Sequence, residues 1–345
     1  MAQIDKPNLH FNTLLYTGTG SSNSQTGLGF QPDWLWIKRR SATNSHHIVD
    51  AVRGVGNAIA SDLNNAEYSS SVSSFDSDGF TVTGNAAAAN NSSSTYAAWN
   101  WKANGAGSSN TDGSINTTST SVNTTSGFSI SSYTGTGSAA TIGHGLGSTP
   151  KMIIVKCRSN ADTWAVYHES VGATKYMELD TTAVAQTSTQ PWNDTAPTSS
   201  LFTVGNWSAT NGSGRTYIAY CFAEKKGFSK FGEYTGNGST NGPFIYTGFK
   251  PAFIIYKGIT GSADNWEMHD IKRETFNPVD RLLYPNATSA ESDPASTTDR
   301  LDIVSNGFKM RTGSADYNNS GTKYLYIAFA ENPIVGSNNI PAVGQ

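Results

Sequence analysis

One short phrase begins three stretches of the chain, as Tyr16-Thr17-Gly18, Tyr133-Thr134-Gly135 and Tyr234-Thr235-Gly236. Each time a Gly-x-x-Pro turn and an apolar strand follow at nearly constant distance. The turns close at Pro32, Pro150 and Pro251, and a lysine lies six positions beyond each proline: Lys38, Lys156 and Lys257. A heavy ring or imidazole comes next in register, as His46, Trp164 and Trp266. Such a period means that one supersecondary plan is built several times over, which constrains the architecture before any single motif is weighed. A chain of 345 residues divides naturally into three copies of this kind, each long enough to bury a core.

Helical periodicity is absent, whereas short runs of Val, Ile, Tyr, Trp and Phe recur between Gly, Asn, Ser and Pro clusters. The reading is all-β: three tandem related β-sandwich modules of jelly-roll or lectin-like kind, over 11–102, 127–225 and 228–333, with a C-terminal tail at 334–345. The strands after the turns, Trp34 to Ile37, Met152 to Val155 and Phe253 to Tyr256, are apolar without alternation, so both of their faces are expected to be covered. Gly, Ser, Thr and Asn dominate 103–126, which reads as a flexible linker, while modules two and three meet across only Lys225 to Glu233. On that division, damage to Trp36 should stay in the first module, and damage to Ile154 or Ile255 should spread between the other two.

Charged residues are 14% of the chain and the net charge is −3, which supplies no basic field for nucleic acid. The first residues lack the apolar stretch of a signal peptide, and no window approaches a membrane helix, so neither nucleic acid nor membrane insertion is expected and the chain reads as a cytoplasmic product. Cys157 and Cys221, the only cysteines, read as two buried thiols, with a single intradomain disulfide as the alternative, and no zinc spacing or cofactor motif appears.

Several constellations invite a chemical reading. Asp76-Ser77-Asp78-Gly79 resembles half a calcium loop, but its counterpart Ser305-Asn306-Gly307 keeps only the turn chemistry, so a plain β-turn is expected. His47 with Asp50, His168, and His269 with Asp270 recur at related places, which points to a shared structural use rather than to a nucleophile's base. Glu169, Glu178 and Asp180 are the carboxylates a glycosidase would need, without a pattern that singles them out. Trp192, Trp207 and Tyr317 lie outside the repeated strands, in Pro-, Asn- and Gly-rich surroundings, and are the candidates for a binding surface.

The phrases Gly29-Phe30-Gln31-Pro32-Asp33-Trp34, Ser77-Asp78-Gly79-Phe80-Thr81-Val82, Gly143-His144-Gly145-Leu146-Gly147, Trp164-Ala165-Val166-Tyr167-His168 and Phe222-Ala223-Glu224-Lys225-Lys226-Gly227-Phe228 resemble those of repeat-containing, tail-fibre-like virion structural proteins of marine tailed phages, including cyanophages. The resemblance runs from about Phe11 to Pro333 and is silent on chemistry. It implies a non-enzymatic virion protein, made in the bacterial cytoplasm and displayed on the particle exterior, of fibre or tail-tip type and contributing to host-surface adhesion. Capsid decoration is the alternative, and a virion-associated glycan-degrading enzyme the remaining one. The implied partners are other virion proteins and a host-surface glycan or protein. A true fibre would be a homotrimer, whereas three like modules in one chain could supply a quasi-trimer alone. With only about ten residues before the first module, a docking domain and shaft are not expected, and the expectation is a separate fibre, tip or decoration subunit rather than a whole receptor-binding fibre.

Overall fold

The computed structural model describes residues 3–292 and 300–330, so the expected tail at 334–345 lies outside the described residues. The chain is all-β, built from several antiparallel sheets in a manner consistent with β-sandwich packing. One four-stranded order occurs three times. Phe11–Thr17, Thr95–Trp101, Trp34–Arg39 and His47–Asp50 lie side by side in the first repeat. The second places Phe128–Thr134, Thr216–Phe222, Met152–Cys157 and Ala165–His168 in the same order, and the third Ser229–Thr235, Lys323–Phe329, Phe253–Gly258 and Glu267–Asp270.

The continuous apolar runs have a direct cause. Successive side chains of a strand point to opposite faces, and here each face meets its own core. Trp34 and Trp36 point one way, into a large cluster with Met152, Ile154, Phe253 and Ile255 from the other two repeats. Leu35 and Ile37 point the other way, onto Phe80 and Val82 of the small sheet Asn23–Thr26, Gly79–Val82 and Val72–Asp76. Ile153 and Val155 likewise meet Phe202 and Val204, and Ile254 and Tyr256 meet Phe308 and Met310.

The large cluster is common to all three repeats. Ring centroids of Trp34 and Phe222 are 5.7 Å apart, those of Phe222 and Phe329 5.9 Å, those of Phe329 and Trp101 5.6 Å and those of Trp101 and Trp34 4.5 Å, a closed circuit of four rings through all three repeats. At its centre is an apolar cavity of about 20 Å³, lined by residues of every repeat. A void with so apolar a lining stays dry, because a water there would find too few polar partners.

The repeated phrase has a structural explanation. Tyr16, Tyr133 and Tyr234 stack on Tyr96, Tyr217 and Tyr324 at 5.1, 5.2 and 5.0 Å. Their hydroxyls donate to the carbonyls of Ala89 (2.7 Å), Thr210 (2.6 Å) and Tyr317 (2.7 Å). A Cβ on Gly18, Gly135 or Gly236 would run into the carbonyl oxygen of Asn91, Gly212 or Asn319, so only glycine fits. Beside each phrase sits a buried asparagine, Asn90, Asn211 or Asn318. Its side-chain oxygen accepts from the backbone N–H of Thr19, Thr136 or Asn237, and its amide donates to two carbonyls.

The Ser/Thr/Asn/Gly-rich segment 103–126 is built into the fold rather than hanging free as a linker. Ser119–Asn123 extends the second repeat's sheet against Phe128–Thr134, and Ser108 bridges to Thr120. Ile115 is buried and bridges to Ile142. Composition misleads here because the buried hydroxyls satisfy one another: Thr120 Oγ1 donates to Thr117 Oγ1 (2.8 Å) and lies 3.1 Å from Ser131 Oγ. The first repeat keeps an outer core of its own around Leu35 and Ile37 but shares its inner one, because Trp34 and Trp101 are packed among rings of the other two.

Candidate functional site

The repeated lysines are not a surface feature. Lys38, Lys156 and Lys257 are fully buried, and each ammonium reaches carbonyls of its own repeat and of another. Lys38 Nζ donates to Asn44 O (2.8 Å) and to Thr288 O of the third repeat (3.0 Å). Lys156 Nζ donates to Asp162 O (2.8 Å) and to Asn64 O of the first (3.0 Å). Lys257 Nζ donates to Asp264 O (2.6 Å) and to Thr182 O of the second (2.9 Å). First reaches third, second reaches first and third reaches second, so the contacts run in a closed cycle. Burial lowers all three pKa values to about 8.

The heavy rings follow the same cycle. Trp164 Nε1 donates to Ala60 O (3.0 Å) and Trp266 Nε1 to Glu178 O (2.8 Å). His46 takes the corresponding place: its Nδ1 accepts from Trp36 Nε1 (2.7 Å), which leaves Nε2–H to donate to Tyr284 O (2.9 Å). Burial keeps its pKa well below the usual histidine value. Asp62, Asp180 and Asn286 accept the backbone N–H of His46, Trp164 and Trp266 at 2.8, 3.0 and 3.0 Å. Asp180 therefore serves a turn, in a role that an asparagine fills equally well in the third repeat.

The remaining carboxylate candidates are also engaged: Glu169 pairs with Lys151 at 2.5 Å and Glu178 accepts from Thr181 Oγ1 at 3.0 Å. Burial raises the pKa of Glu178 and of Asp180. Asp50 and Asp270 each hold a fully buried arginine, Arg53 and Arg273, at 2.5 Å. Burial works against the Arg53 cation, but Asp50, Tyr220 and Glu67 outweigh it and hold its pKa above the ordinary value. In the Asp76 to Gly79 turn, Asp78 accepts the N–H groups of Gly27 (3.0 Å) and Gly29 (2.5 Å), and Asp76 accepts from Thr81 Oγ1 (2.8 Å). Among the described residues no cluster of three or more His, Cys, Asp or Glu is placed to hold a metal ion. Cys157 and Cys221 are both free and buried. Among the described residues no helix is long and apolar enough to cross a membrane.

The three binding candidates fall largely inside. Trp192 is buried in the second repeat's outer core, 6.0 Å from the Tyr167 ring. Tyr317 is buried in the third, its hydroxyl accepting from Arg300 Nε at 2.8 Å. Trp207 is half-buried against Tyr176 at 4.8 Å. A loop rich in Pro, Asn and Gly read as exposed, but these rings fold back to seal the loop against the sheet. The faces of Trp192 and Tyr317 are closed to a ligand.

Exposed aromatic surface occurs instead on the edge strand Phe244–Tyr246, where Ile245 points in and Phe244 and Tyr246 point out, 47% and 62% exposed. Tyr246 forms one wall of a cleft of about 510 Å³ between the second and third repeats, with Ser148, Lys151, Glu224, Lys226 and Lys230. Lys230 pairs with Glu224 at 2.8 Å. The signal for this site was present in the sequence as a fourth Tyr-Thr-Gly, Tyr246-Thr247-Gly248, which stands outside the register of the other three.

No curated protein and no solved structure matches the chain. The model of the family described as Domain of unknown function (DUF7483) matches residues 6–333, nearly the whole chain, and the chain belongs to that family.

Proposed function

We propose that the chain is a non-enzymatic component of a virion exterior, of fibre or tail-tip type, that contributes to adhesion at the host surface. Its three repeats are, in this reading, related β-sandwich modules closed into a ring. The observation that carries it is the cyclic set of contacts from Lys38, Lys156 and Lys257, which ties first to third, second to first and third to second repeat. Such closure gives a stiff antiparallel body whose repeated polar groups are engaged internally and whose outer strand faces are left to vary. That division suits a module that must persist outside a cell and present a surface. The resemblance of its phrases to those of marine phage virion proteins supports the same address.

A chain that completes its own ring has no unfilled joint to offer a second copy. A monomer of 36.7 kDa in light scattering is the expected result, and a stable mass three times larger would favour a homotrimeric fibre. Mass spectrometry of purified particles tests the virion assignment, and absence of the chain from them sinks it. Antibody labelling of intact particles separates the tail from capsid decoration. A glycan-degrading activity lost in Glu178→Gln would overturn the non-enzymatic reading.

A further inference from the structure

The geometry points to the cleft walled by Tyr246, between the second and third repeats, as a binding site for an acidic saccharide. The internal triplication allows the needs of the fold to be subtracted. Gln25, Ile142 and Ile245 stand opposite Phe80, Phe202 and Phe308, which puts the three edge strands in register. The positions flanking them are Ser24 and Thr26 in the first repeat, Thr141 and Gly143 in the second, and Phe244 and Tyr246 in the third. Two repeats fold with small or hydroxyl residues there. The aromatic pair of the third therefore answers to something other than the fold, and two large exposed rings on one strand face are the kind of departure that marks an interaction site.

The chemistry of the cleft selects the ligand. Its volume of about 510 Å³ accommodates a few sugar rings. Three lysines and one glutamate line it in a chain whose net charge is −3, so its walls are positive against the trend of the molecule. Lys151 and Lys230 are held by Glu169 and Glu224, while Lys226 has no carboxylate partner among the described residues. Ser148 Oγ is buried in the wall without a hydrogen-bond partner among the described residues. A pyranose offers an apolar C–H face to a tyrosine ring, hydroxyls to a serine, and, when it carries a carboxylate, an anion to a lysine. An apolar protein surface would leave the lysine and the serine unanswered.

This site deepens the adhesion reading and rests on it only for the source of the sugar. The purified full chain is titrated calorimetrically with a polyuronate octasaccharide and with a neutral glucan octasaccharide. The polyuronate binds, the glucan binds at least about tenfold more weakly, and Tyr246→Ala loses about tenfold or more for the polyuronate. Lys226→Gln flattens the salt dependence of binding. Because Tyr246 is exposed, its variant keeps the wild-type melting temperature, and Thr26→Ala at the corresponding place leaves binding unchanged. No polyuronate binding, equal binding of both sugars, or binding indifferent to Tyr246→Ala each overturns the proposal. Host-cell binding equal in wild type and Tyr246→Ala removes this site and leaves adhesion standing; polyuronate binding without host-cell binding does the reverse.

Discussion

The joints between repeats are sealed in two ways. Where the first repeat meets the third, Arg40 grips Glu291 through two hydrogen bonds of 3.0 and 2.8 Å, and Glu291 also receives Arg273 at 3.1 Å. Where the second meets the first, Arg158 grips Glu67 at 3.0 and 3.1 Å, and Glu67 receives Arg53 at 3.2 Å. Where the third meets the second, Ile259 and Ala185 hold the matching places and meet through a backbone hydrogen bond of 3.3 Å. The change extends inward. Asp50 with Arg53 and Asp270 with Arg273 become His168 with Val171, and the facing Tyr220 and Trp99, which donate to those aspartates at 2.7 and 3.0 Å, become Ile327. The lesson is that a buried charge network is replaced as a set: exchanging the arginine alone would strand a carboxylate in the core.

The largest effect expected follows directly. Arg53→Met leaves Asp50 buried beside Tyr220 and should cost about 3 to 5 kcal/mol in chemical denaturation. Replacing Asp50, Arg53 and Glu67 together by His, Val and Ala, with Tyr220→Ile, should cost less than the single change. If Arg53→Met is harmless, the two kinds of joint do not differ as described.

Next comes the shared core. Trp36→Ala empties a site that touches His46 and Trp99, at a cost of about 3 to 5 kcal/mol. Calorimetry should record one transition for the whole chain, and a separate early transition of the first repeat would mean that the joints are weaker than the packing implies.

Acid probes the apolar joint through His168. Burial lowers the pKa of His168 to about 4, against about 6.5 in an unfolded chain. Its contribution is complete above pH 6.5 and is lost as pH falls toward 4, because the unfolded chain takes up the proton first, at about 1.4 kcal/mol per pH unit. Stability of His168→Leu should fall less steeply over that window, as read by urea midpoints at successive pH values. Equal slopes would place the proton elsewhere. The smallest effect belongs to Arg158→Gln, whose ion pair is partly exposed and should be worth about 0.5 to 1 kcal/mol, less in high salt.

Much of this was legible. The register of Tyr-Thr-Gly, proline, lysine and heavy ring located the equivalent strands, and the unbroken apolar runs foretold two-sided burial. The partner of each lysine was not, since Lys38 and Thr288 are held together only once the ring closes. Asn90, Asn211 and Asn318 stand in register too, but a buried amide satisfied by three backbone groups carries no hydrophobic signature. For the strand at Ser119–Asn123, composition pointed the wrong way, because hydroxyls that pair with one another are as buriable as methyls. Tyr246 repeats the residue types of Tyr16 in a different pairing, and only the pairing turns the one ring inward and the other outward.

The apolar axis has a consequence for how this chain could have changed over time. A trimer of identical subunits must set the same side chain three times around its axis, so every substitution there is tripled. Here Trp34, Met152 and Phe253 occupy the three corresponding places, a large, a flexible and a medium side chain that fill one space together. Once that division arose, three copies of any one repeat would set three large, three flexible or three medium side chains around that space, and exchanging two repeats would change which of them meets which neighbour. The order of the repeats is thereby ratcheted in place, even though the ring has no natural beginning. A version with its ends joined and a new opening cut in an exposed turn would keep that order and should tolerate the change, where a shuffled one would not.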